Sequence, residues 1–388
     1  MSVGAEIQGS WDPRFEPVRD AFASNFSERG ELGAAVCLSV GGQNVVDLWG
    51  GWADGARSRV WQEDTLVNIF SIGKAVSTVC VARLVDRGVV AWDEPVARHW
   101  PEFGAADDGK DAITLRQLLS HQAGLPAVRR PLPDDAMLRP DIMEEALAAE
   151  TPWWVPGTAH GYHVNTFGFL AGGLVRRVTG DTLGRLLREE VSGPLGADFH
   201  IGLPVPEHGR VAEFQWPVAP ADVGGAGSAL EGAALMSNNA YRNPAGLSGA
   251  GVINTPAWRV AEIPSTNGHA TARGVARIFE ALTLGGTVDG VGLVSAESLQ
   301  ECTTEQVYGD DLVLQRPSRF GIGFQLTQTE RPLGPNPGAF GHFGAGGSLG
   351  YADPAAGVAF GYVINTLGPR WQNPRNRALI DSIYESLG

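Results

Sequence analysis

The sequence predicts a mixed α/β fold in which one sheet is assembled from both ends of the chain. Strand-like apolar runs occur near the N-terminus and again toward the C-terminus, whereas the middle shows helical periodicity and loops rich in Pro and Gly. No internal repeat and no linker divides the 388 residues into independent halves. We therefore expect a single unit, with an α/β core at about 1–95 and 265–388 and a mostly helical inserted subdomain at about 96–264.

The elements follow the chain in order. The opening, up to about residue 26, has a helical pattern, and Gly41-Gly42 joins two strand-like runs (34–40 and 44–49) as a hairpin. A helix at 71–87 is apolar on nearly all sides and ends at Gly88, so we expect it to run through the core. Residues 205–264 are predicted to be mostly loops. The remaining predicted helices are 114–121, 141–149, 165–179, one from 181 or 182 to 191, 271–284 and 376–386, and the remaining predicted strands are 321–325, 339–343, 347–352 and 358–365.

Composition limits the classes of function. The chain has 43% hydrophobic and 19% charged residues, as globular proteins do. A net charge of −14 argues against nucleic acid or an anionic membrane as partner. The N-terminus does not resemble a secretion signal, and no apolar run is long enough to predict a membrane span. Three widely spaced cysteines (Cys37, Cys80, Cys302) fit free thiols in a reducing compartment, so we expect a cytoplasmic protein.

Lysine is rare, because Lys74 and Lys110 are the two lysines among 29 basic residues. Ser71 opens the predicted core helix and Lys74 lies one turn later on the same face. A helix N-terminus favours negative charge on the serine oxygen, and a desolvated lysine has a lowered pKa and can act as a base. The alternative is a helix N-cap followed by a surface lysine. The apolar helix and the scarcity of lysine favour the catalytic interpretation.

Two further stretches are candidates for the same site. Tyr162 follows a Pro-Gly turn just before a predicted helix, from where a phenol can reach another helix; the alternative is a packed loop tyrosine. The glycines at 341–347 permit close backbone approach and leave N–H groups free, although a Gly-rich hairpin has the same pattern. Residues 346–350 also fit Gly-x-Ser-x-Gly, but a strand follows Ser348 and the last histidine, His342, precedes it. This argues against an α/β-hydrolase.

The Ser71-x-x-Lys74 pair, Tyr162 and the Gly-rich stretch at 341–347 follow one another in an order that resembles the serine β-lactamase and penicillin-binding-protein superfamily. The resemblance extends over about residues 15–385 and is strongest to the class C branch and the family VIII carboxylesterases. The resemblance implies a serine β-lactamase-like fold, with an antiparallel sheet flanked by helices. It also implies that Ser71 is the nucleophile, that Lys74 and Tyr162 are its proton-transfer partners, and that the backbone N–H groups of Ser71 and Ala345 form the oxyanion hole.

Two departures from the class C pattern bear on the substrate. His342-Phe343-Gly344 stands where β-lactamases carry Lys-Thr-Gly, and histidine is mostly neutral at pH 7. Val164 stands where the pattern has asparagine, and Asn165 comes one place later. Both departures weaken recognition of an anionic β-lactam and leave attack on a neutral ester unaffected. We therefore expect a carboxylesterase for small, short-chain acyl esters, with His342, Phe343, Gly344 and Asn165 as substrate-binding residues and no metal or cofactor.

The sequence leaves other interpretations open. Within the same superfamily these are a β-lactamase, a D-amino peptidase, an amidase or an acyltransferase. An alternative of another class is a catalytically inactive member that binds a ligand, and the intact Ser71, Lys74 and Tyr162 argue against it. At this stage either Lys74 or Tyr162 can be the formal base, because their titrations are coupled.

Overall fold

The computed structural model describes residues 6–105, 109–216, 230–244, 251–369 and 371–388. Fourteen strands lie within these ranges: β1 (Ile7–Trp11), β2 (Gly33–Val40), β3 (Gln43–Gly51), β4 (Val67–Asn68), β5 (Phe199–His200), β6 (His269–Ala270), β7 (Thr287–Val288), β8 (Val291–Gly292), β9 (Val307–Asp311), β10 (Arg316–Phe320), β11 (Gln325–Leu326), β12 (Phe340–Phe343), β13 (Leu349–Asp353) and β14 (Val358–Ile364).

Nine of these strands form one antiparallel sheet in the order β1-β3-β2-β14-β13-β12-β11-β10-β9. Three of them come from residues 7–51 and the other six from residues 307–364, so both ends of the chain build the sheet. A small sheet of order β4-β6-β5 and the β7-β8 hairpin lie outside it.

Twelve α-helices are described: α1 (Glu16–Glu28), α2 (Ile72–Asp86), α3 (Leu115–Leu119), α4 (Pro140–Ala149), α5 (Thr166–Thr179), α6 (Leu183–Leu187), α7 (Gly193–Leu195), α8 (Gly232–Arg242), α9 (Pro256–Val260), α10 (Ala272–Thr283), α11 (Ala296–Thr303) and α12 (Pro374–Leu387). Among the residues described above, no helix combines the length and the hydropathy needed to cross a bilayer.

Helices cover both faces of the sheet. On one face α10 packs against β2, β13 and β14, and on the other α1 packs against α12. Glycines let α10 come close: a Cβ at Gly350 would lie 2.3 Å from the Phe279 ring, and one at Gly361 would lie 2.3 Å from the carbonyl oxygen of Ala272. Each face therefore carries its own apolar core.

The helix that carries the Ser-x-x-Lys pair runs through the larger of these cores. In α2, 12 of the 15 residues are buried. Each fully buried Val, Leu or Ile side chain contributes about 1.5–3 kcal/mol to folding. The helix packs against α5, α6 and α11 and against strand β12. Its first turn is therefore held in a fixed position relative to the Gly-rich turn after β12.

The predicted fold class is confirmed, and so are the hairpin and the core helix. The structure also contains elements that were not predicted, among them β9, β10 and α11, and it differs from the predicted elements at three further places. The strand β1 precedes the first helix, at the exposed edge of the sheet, and its residues lack the alternation that signals a strand. Residues 321–324, predicted as part of a strand, form the turn between β10 and β11.

The third difference is at residues 205–264, which were predicted to be mostly loops. This region contains α8 and α9. The parts of that prediction at 217–229 and 245–250 lie outside the described residues. The division into a core and a helical subdomain stays a prediction.

Candidate active site

Ser71 stands at a sharp entry to α2. The preceding residue, Phe70, has φ +51, in the left-handed region that non-glycine residues rarely adopt. The ring of Phe70 packs edge-on against Phe214 at 4.9 Å and against Trp216 at 6.2 Å between centroids, and this packing holds the strained backbone. Ser71 itself is 9% exposed, and its side chain makes no capping hydrogen bond to the helix. The hydroxyl is therefore left for other partners.

Lys74 is completely buried in the first turn of α2. Its Nζ lies 3.1 Å from Ser71 Oγ, 2.7 Å from the carbonyl oxygen of Val164 and 3.1 Å from the carbonyl oxygen of Ser265. These partners carry no negative charge, and burial lowers the pKa of Lys74 well below its usual value. The arrangement does not match a helix N-cap followed by a surface lysine.

Tyr162 lies in the loop before α5 and is the third member of the group that Ser71 and Lys74 begin. Lys74 Nζ lies 4.7 Å from the centroid of its ring. The phenol is 1% exposed, and its hydroxyl forms no hydrogen bond of good geometry to any described residue. Burial raises the pKa of Tyr162 well above its usual value, and the nearby Ser71 hydroxyl offsets part of that effect. Tyr162 is therefore a protonated phenol at neutral pH.

The ring of Tyr162 is held by other aromatic residues. Phe320 stacks on it at 5.8 Å, Trp371 meets it edge-on at 4.9 Å, and His121 lies 4.9 Å away between centroids. Phe320 and Trp371 could not be identified from the sequence, because an aromatic residue in a strand or loop has packing as its default role.

The Gly-rich turn after β12 passes against the backbone that leads to Ser71. A Cβ at Gly344 would lie 2.5 Å from the carbonyl oxygen of Ile69, so only glycine fits there. Within the described residues, neither the N–H of Ser71 nor that of Ala345 donates to a protein acceptor. Two free N–H groups on adjoining segments are the feature that an oxyanion hole requires.

His342 and Phe343 occupy opposite faces of the sheet, because side chains alternate along a strand. His342 faces α2, and its ring centroid lies 6.1 Å from that of Tyr162. Phe343 packs in the core on the other face, with Leu333 and Leu349 among its neighbours. Phe343, one of the expected substrate-binding residues, therefore directs its side chain away from the face on which α2 carries Ser71.

His342 is an uncharged group. It is completely buried, and its Nδ1 donates to the carbonyl oxygen of Phe343 at 2.8 Å. Burial, reinforced by Lys74, lowers the pKa of His342 to about 3. Its Nε2 is thus a bare acceptor, and it has no partner among the residues that the structure describes. The position that carries a cation in β-lactamases carries none here.

Asn165 is linked to Lys74 through Ser265. Its side chain accepts from the Thr266 hydroxyl at 3.0 Å and donates to the carbonyl oxygen of Ala240 at 3.2 Å. Its own carbonyl accepts from the Ser265 hydroxyl at 2.7 Å, and the Ser265 carbonyl in turn faces Lys74. Asn165 therefore supports the surroundings of Lys74. The sequence analysis missed the Val164 and Ser265 carbonyls, since residue type does not reveal a role of the backbone.

Ser348, the serine of the Gly-x-Ser-x-Gly pattern, is completely buried beneath the Gly-rich turn. A short 3-10 turn (Ala345–Gly347) precedes it and strand β13 follows it. The strand-turn-helix context that an α/β-hydrolase needs is absent at this position, in agreement with the sequence analysis.

Comparisons with known proteins identify the family to which the chain belongs. The sequence profile of the β-lactamase family matches residues 18–385. The esterase/β-lactamase LipL of Mycobacterium tuberculosis is 39% identical over 376 residues, which cover 94% of this chain and 84% of that protein.

Among solved structures, a family VIII carboxylesterase is 41% identical with a TM-score of 0.89, over 98% of this chain and 100% of that one. A penicillin-binding-protein homologue from Caulobacter crescentus is 42% identical with a TM-score of 0.89, over the same shares of the two chains. With its profile match over nearly the whole chain and relatives of this similarity, the chain belongs to the β-lactamase family.

Proposed function

We propose that the protein is a serine carboxylesterase that hydrolyses small, short-chain acyl esters through an acyl-enzyme on Ser71. One observation carries the proposal: the Lys74 amine is completely buried 3.1 Å from the Ser71 hydroxyl, and its other hydrogen-bond partners are backbone carbonyls. The name of LipL includes esterase and a similar solved structure is a family VIII carboxylesterase, which supports the same activity.

The hydrogen-bond partners of Lys74 can all be satisfied by a neutral amine that acts as the base. A neutral amine has two N–H donors and one lone pair. The carbonyl oxygens of Val164 and Ser265 can only accept, so they take the two N–H groups. The lone pair is then left for the hydroxyl hydrogen of Ser71. The lowered pKa of Lys74 and the raised pKa of Tyr162 agree with this division of roles.

Acylation then proceeds in two steps. Lys74 takes the proton of Ser71 as Oγ bonds to the ester carbonyl carbon, and the carbonyl oxygen becomes an oxyanion between the N–H groups of Ser71 and Ala345. One such donor is worth about 3–4 kcal/mol of transition-state stabilisation. When the bond to the alcohol breaks, Tyr162 donates its proton to the leaving oxygen and regains one from the Lys74 ammonium.

In deacylation Lys74 is again the base, and water takes the place of Ser71 as the nucleophile. Lys74 accepts a proton from water as the water oxygen bonds to the acyl carbon. The oxyanion forms again, and its collapse breaks the bond to Ser71 Oγ. That oxygen takes the proton back, and the carboxylic acid leaves. No charge accumulates on the enzyme over the cycle.

The neutral state of His342 favours esters over β-lactams. A β-lactam carries a carboxylate, and a fixed cation beside the nucleophile is the natural partner for it. With its pKa lowered to about 3, His342 supplies no positive charge at neutral pH. A neutral ester needs none.

A substrate panel tests the proposal. The wild type and Ser71→Ala are assayed with p-nitrophenyl acetate, butyrate and octanoate and with nitrocefin. We expect the highest kcat/KM for the acetate or butyrate and no enzymatic turnover by Ser71→Ala. A higher kcat/KM for nitrocefin than for any ester would contradict the proposal, as would ester turnover that survives in Ser71→Ala.

A further inference from the structure

A buried carboxylate at the edge of the sheet holds the peptide of Tyr162. Asp311 is the last residue of β9 and is 2% exposed. Its Oδ1 accepts from the backbone N–H of Tyr162 at 3.0 Å, and also from the N–H groups of Val313 at 2.9 Å and Leu314 at 2.8 Å. In sequence, Asp311 is 149 residues from the tyrosine that it contacts.

The second oxygen of this carboxylate extends the attachment. Ser318, on the neighbouring strand β10, donates its hydroxyl hydrogen to Asp311 Oδ2 at 2.9 Å. The Nε2 of His160 lies 2.9 Å from the same Ser318 oxygen. Since the serine hydrogen is already used, His160 is the donor in that bond. The N–H of Leu312 also donates to the carbonyl oxygen of His160 at 3.1 Å.

We propose that Asp311 is a positioning residue for catalysis, which fixes the peptide of Tyr162 so that the phenol faces Ser71 and Lys74. Asp311 does not touch the reacting atoms and acts through Tyr162. The inference rests on the proposed hydrolase mechanism for its turnover readout.

The position of the phenol depends on this contact for a geometric reason. The hydroxyl of Tyr162 forms no hydrogen bond of good geometry to any described residue, so the backbone and the ring contacts determine where it lies. The next contacts along the loop, from the N–H of Gly161 to the His121 carbonyl and from the N–H of His163 to His121 Nδ1, hold the flanking peptides. Removing Asp311 leaves the loop attached and frees the one peptide that carries the phenol.

The chain contains a matched control. Asp353 is also the last residue of a strand, β13, and is completely buried. Its Oδ1 accepts from two backbone N–H groups, at 3.1 and 3.2 Å, and its Oδ2 accepts from Asn336 at 2.8 Å and from Tyr384 at 2.6 Å. These partners belong to the face of the sheet that α12 covers. The two carboxylates thus share burial and chemistry and differ in what they hold.

The experiment compares Asp311→Ala and Asp311→Asn with Asp353→Ala and Asp353→Asn, each also made in a Tyr162→Phe background. Because a small misplacement of a catalytic group can cost about 100-fold in rate, we expect a loss of roughly that size in kcat for Asp311→Ala. Asp311→Asn retains an acceptor for the three N–H groups and should lose less. Both Asp353 variants should lower the melting temperature without changing kcat for the folded fraction.

The Tyr162→Phe background separates positioning from general destabilisation. If Asp311 acts through the phenol, Asp311→Ala costs little further activity once the hydroxyl is gone, whereas independent effects multiply. An undiminished loss in that background, or equal kcat losses at positions 311 and 353, would overturn the inference. Asp311→Asn provides the same comparison if Asp311→Ala does not fold.

A second readout distinguishes this inference from the proposed function. The rate at which a fluorophosphonate modifies Ser71, followed by intact mass, does not require ester turnover. Labelling of the wild type without ester hydrolysis would contradict the esterase proposal, and the ratio of labelling rates between Asp311→Ala and wild type would still test Asp311. A wild type that is not labelled at Ser71 would overturn both.

Discussion

The two lysines of the chain are buried to the same degree, and their amines lie at opposite ends of helices. Both are completely buried, and each amine lies 4.7 Å from the centroid of an aromatic ring, Tyr162 for Lys74 and Phe103 for Lys110. Lys110 donates to the carbonyl oxygens of Leu147, Ala148 and Glu150, at the C-terminal end of α4. Lys74 lies at the N-terminal end of α2 and has a serine hydroxyl among its partners.

The difference shows that burial alone does not make a lysine a base. The C-terminus of a helix carries partial negative charge and free carbonyls, both of which stabilise an ammonium, while the N-terminus carries partial positive charge and disfavours one. Lys110 is therefore a cap for α4. Lys74 is positioned for chemistry, because its surroundings favour the neutral amine and a hydroxyl lies beside it.

The largest expected effect that separates the two lysines is on catalysis. In Lys74→Met the base is absent, and we expect kcat/KM for p-nitrophenyl butyrate to fall by roughly 1,000-fold or more. Lys110→Met touches none of the catalytic groups and should retain kcat for the folded fraction. Steady-state kinetics, with active protein counted by fluorophosphonate titration where labelling persists, measure both. Comparable losses in the two variants would remove the distinction.

The next largest effect is on stability, where we expect Lys110→Met to lose more than Lys74→Met. Lys110→Met leaves buried carbonyls at the end of α4 without their donor, and we expect the free energy of unfolding to fall by about 2–4 kcal/mol. Lys74→Met removes an amine whose burial is itself unfavourable, so its loss should be smaller. Urea unfolding of both variants at neutral pH gives the two values, and a larger loss for Lys74→Met would contradict the assignment of Lys110 as a cap.

The smallest effect is a dependence of stability on pH. Because the folded pKa of Lys74 lies below its usual value, the unfolded chain binds an extra proton between the two pKa values, and stability rises with pH in that window. The wild type should gain up to about 1.4 kcal/mol per pH unit relative to Lys74→Met as the pH rises toward the usual lysine pKa of about 10.4. A constant difference between pH 7 and pH 9 would mean that the folded protein keeps the Lys74 proton.

How much of the site is predictable from sequence depends on how local each interaction is. Ser71 and Lys74 lie one helical turn apart, so residue type and spacing identify the pair. Tyr162 needed the resemblance, since its surroundings come from distant strands. Asp311 was not identified because its contact with Tyr162 joins residues far apart in the chain. The alternation of side chains along β12 could have shown that His342 and Phe343 face opposite ways.

The secondary-structure elements were likewise predictable where their own sequence pattern determines them. The helix α2 and the strands β2 and β14 have strong apolar patterns, and their predicted bounds differ from the observed ones by no more than one residue. The edge strand β1 is mostly exposed and has no alternation, so pairing with β3 and not its own pattern determines its conformation. The helix α8 contains helix-favouring Ala, Leu and Met residues, but the Pro, Gly and Asn residues around it favoured the prediction of a loop.

The position of β2 in the sheet has a consequence for biosynthesis. It lies between β3, which follows at once in the chain, and β14, with which it pairs from Ala34↔Ile364 to Val40↔Val358. A nascent chain can form the first hairpin early, but the free edge of β2 must wait until more than three hundred further residues have been translated. During that interval an apolar strand edge is open to pairing with other chains. Recovery of native protein should therefore improve with chaperones and with a low concentration of nascent chains.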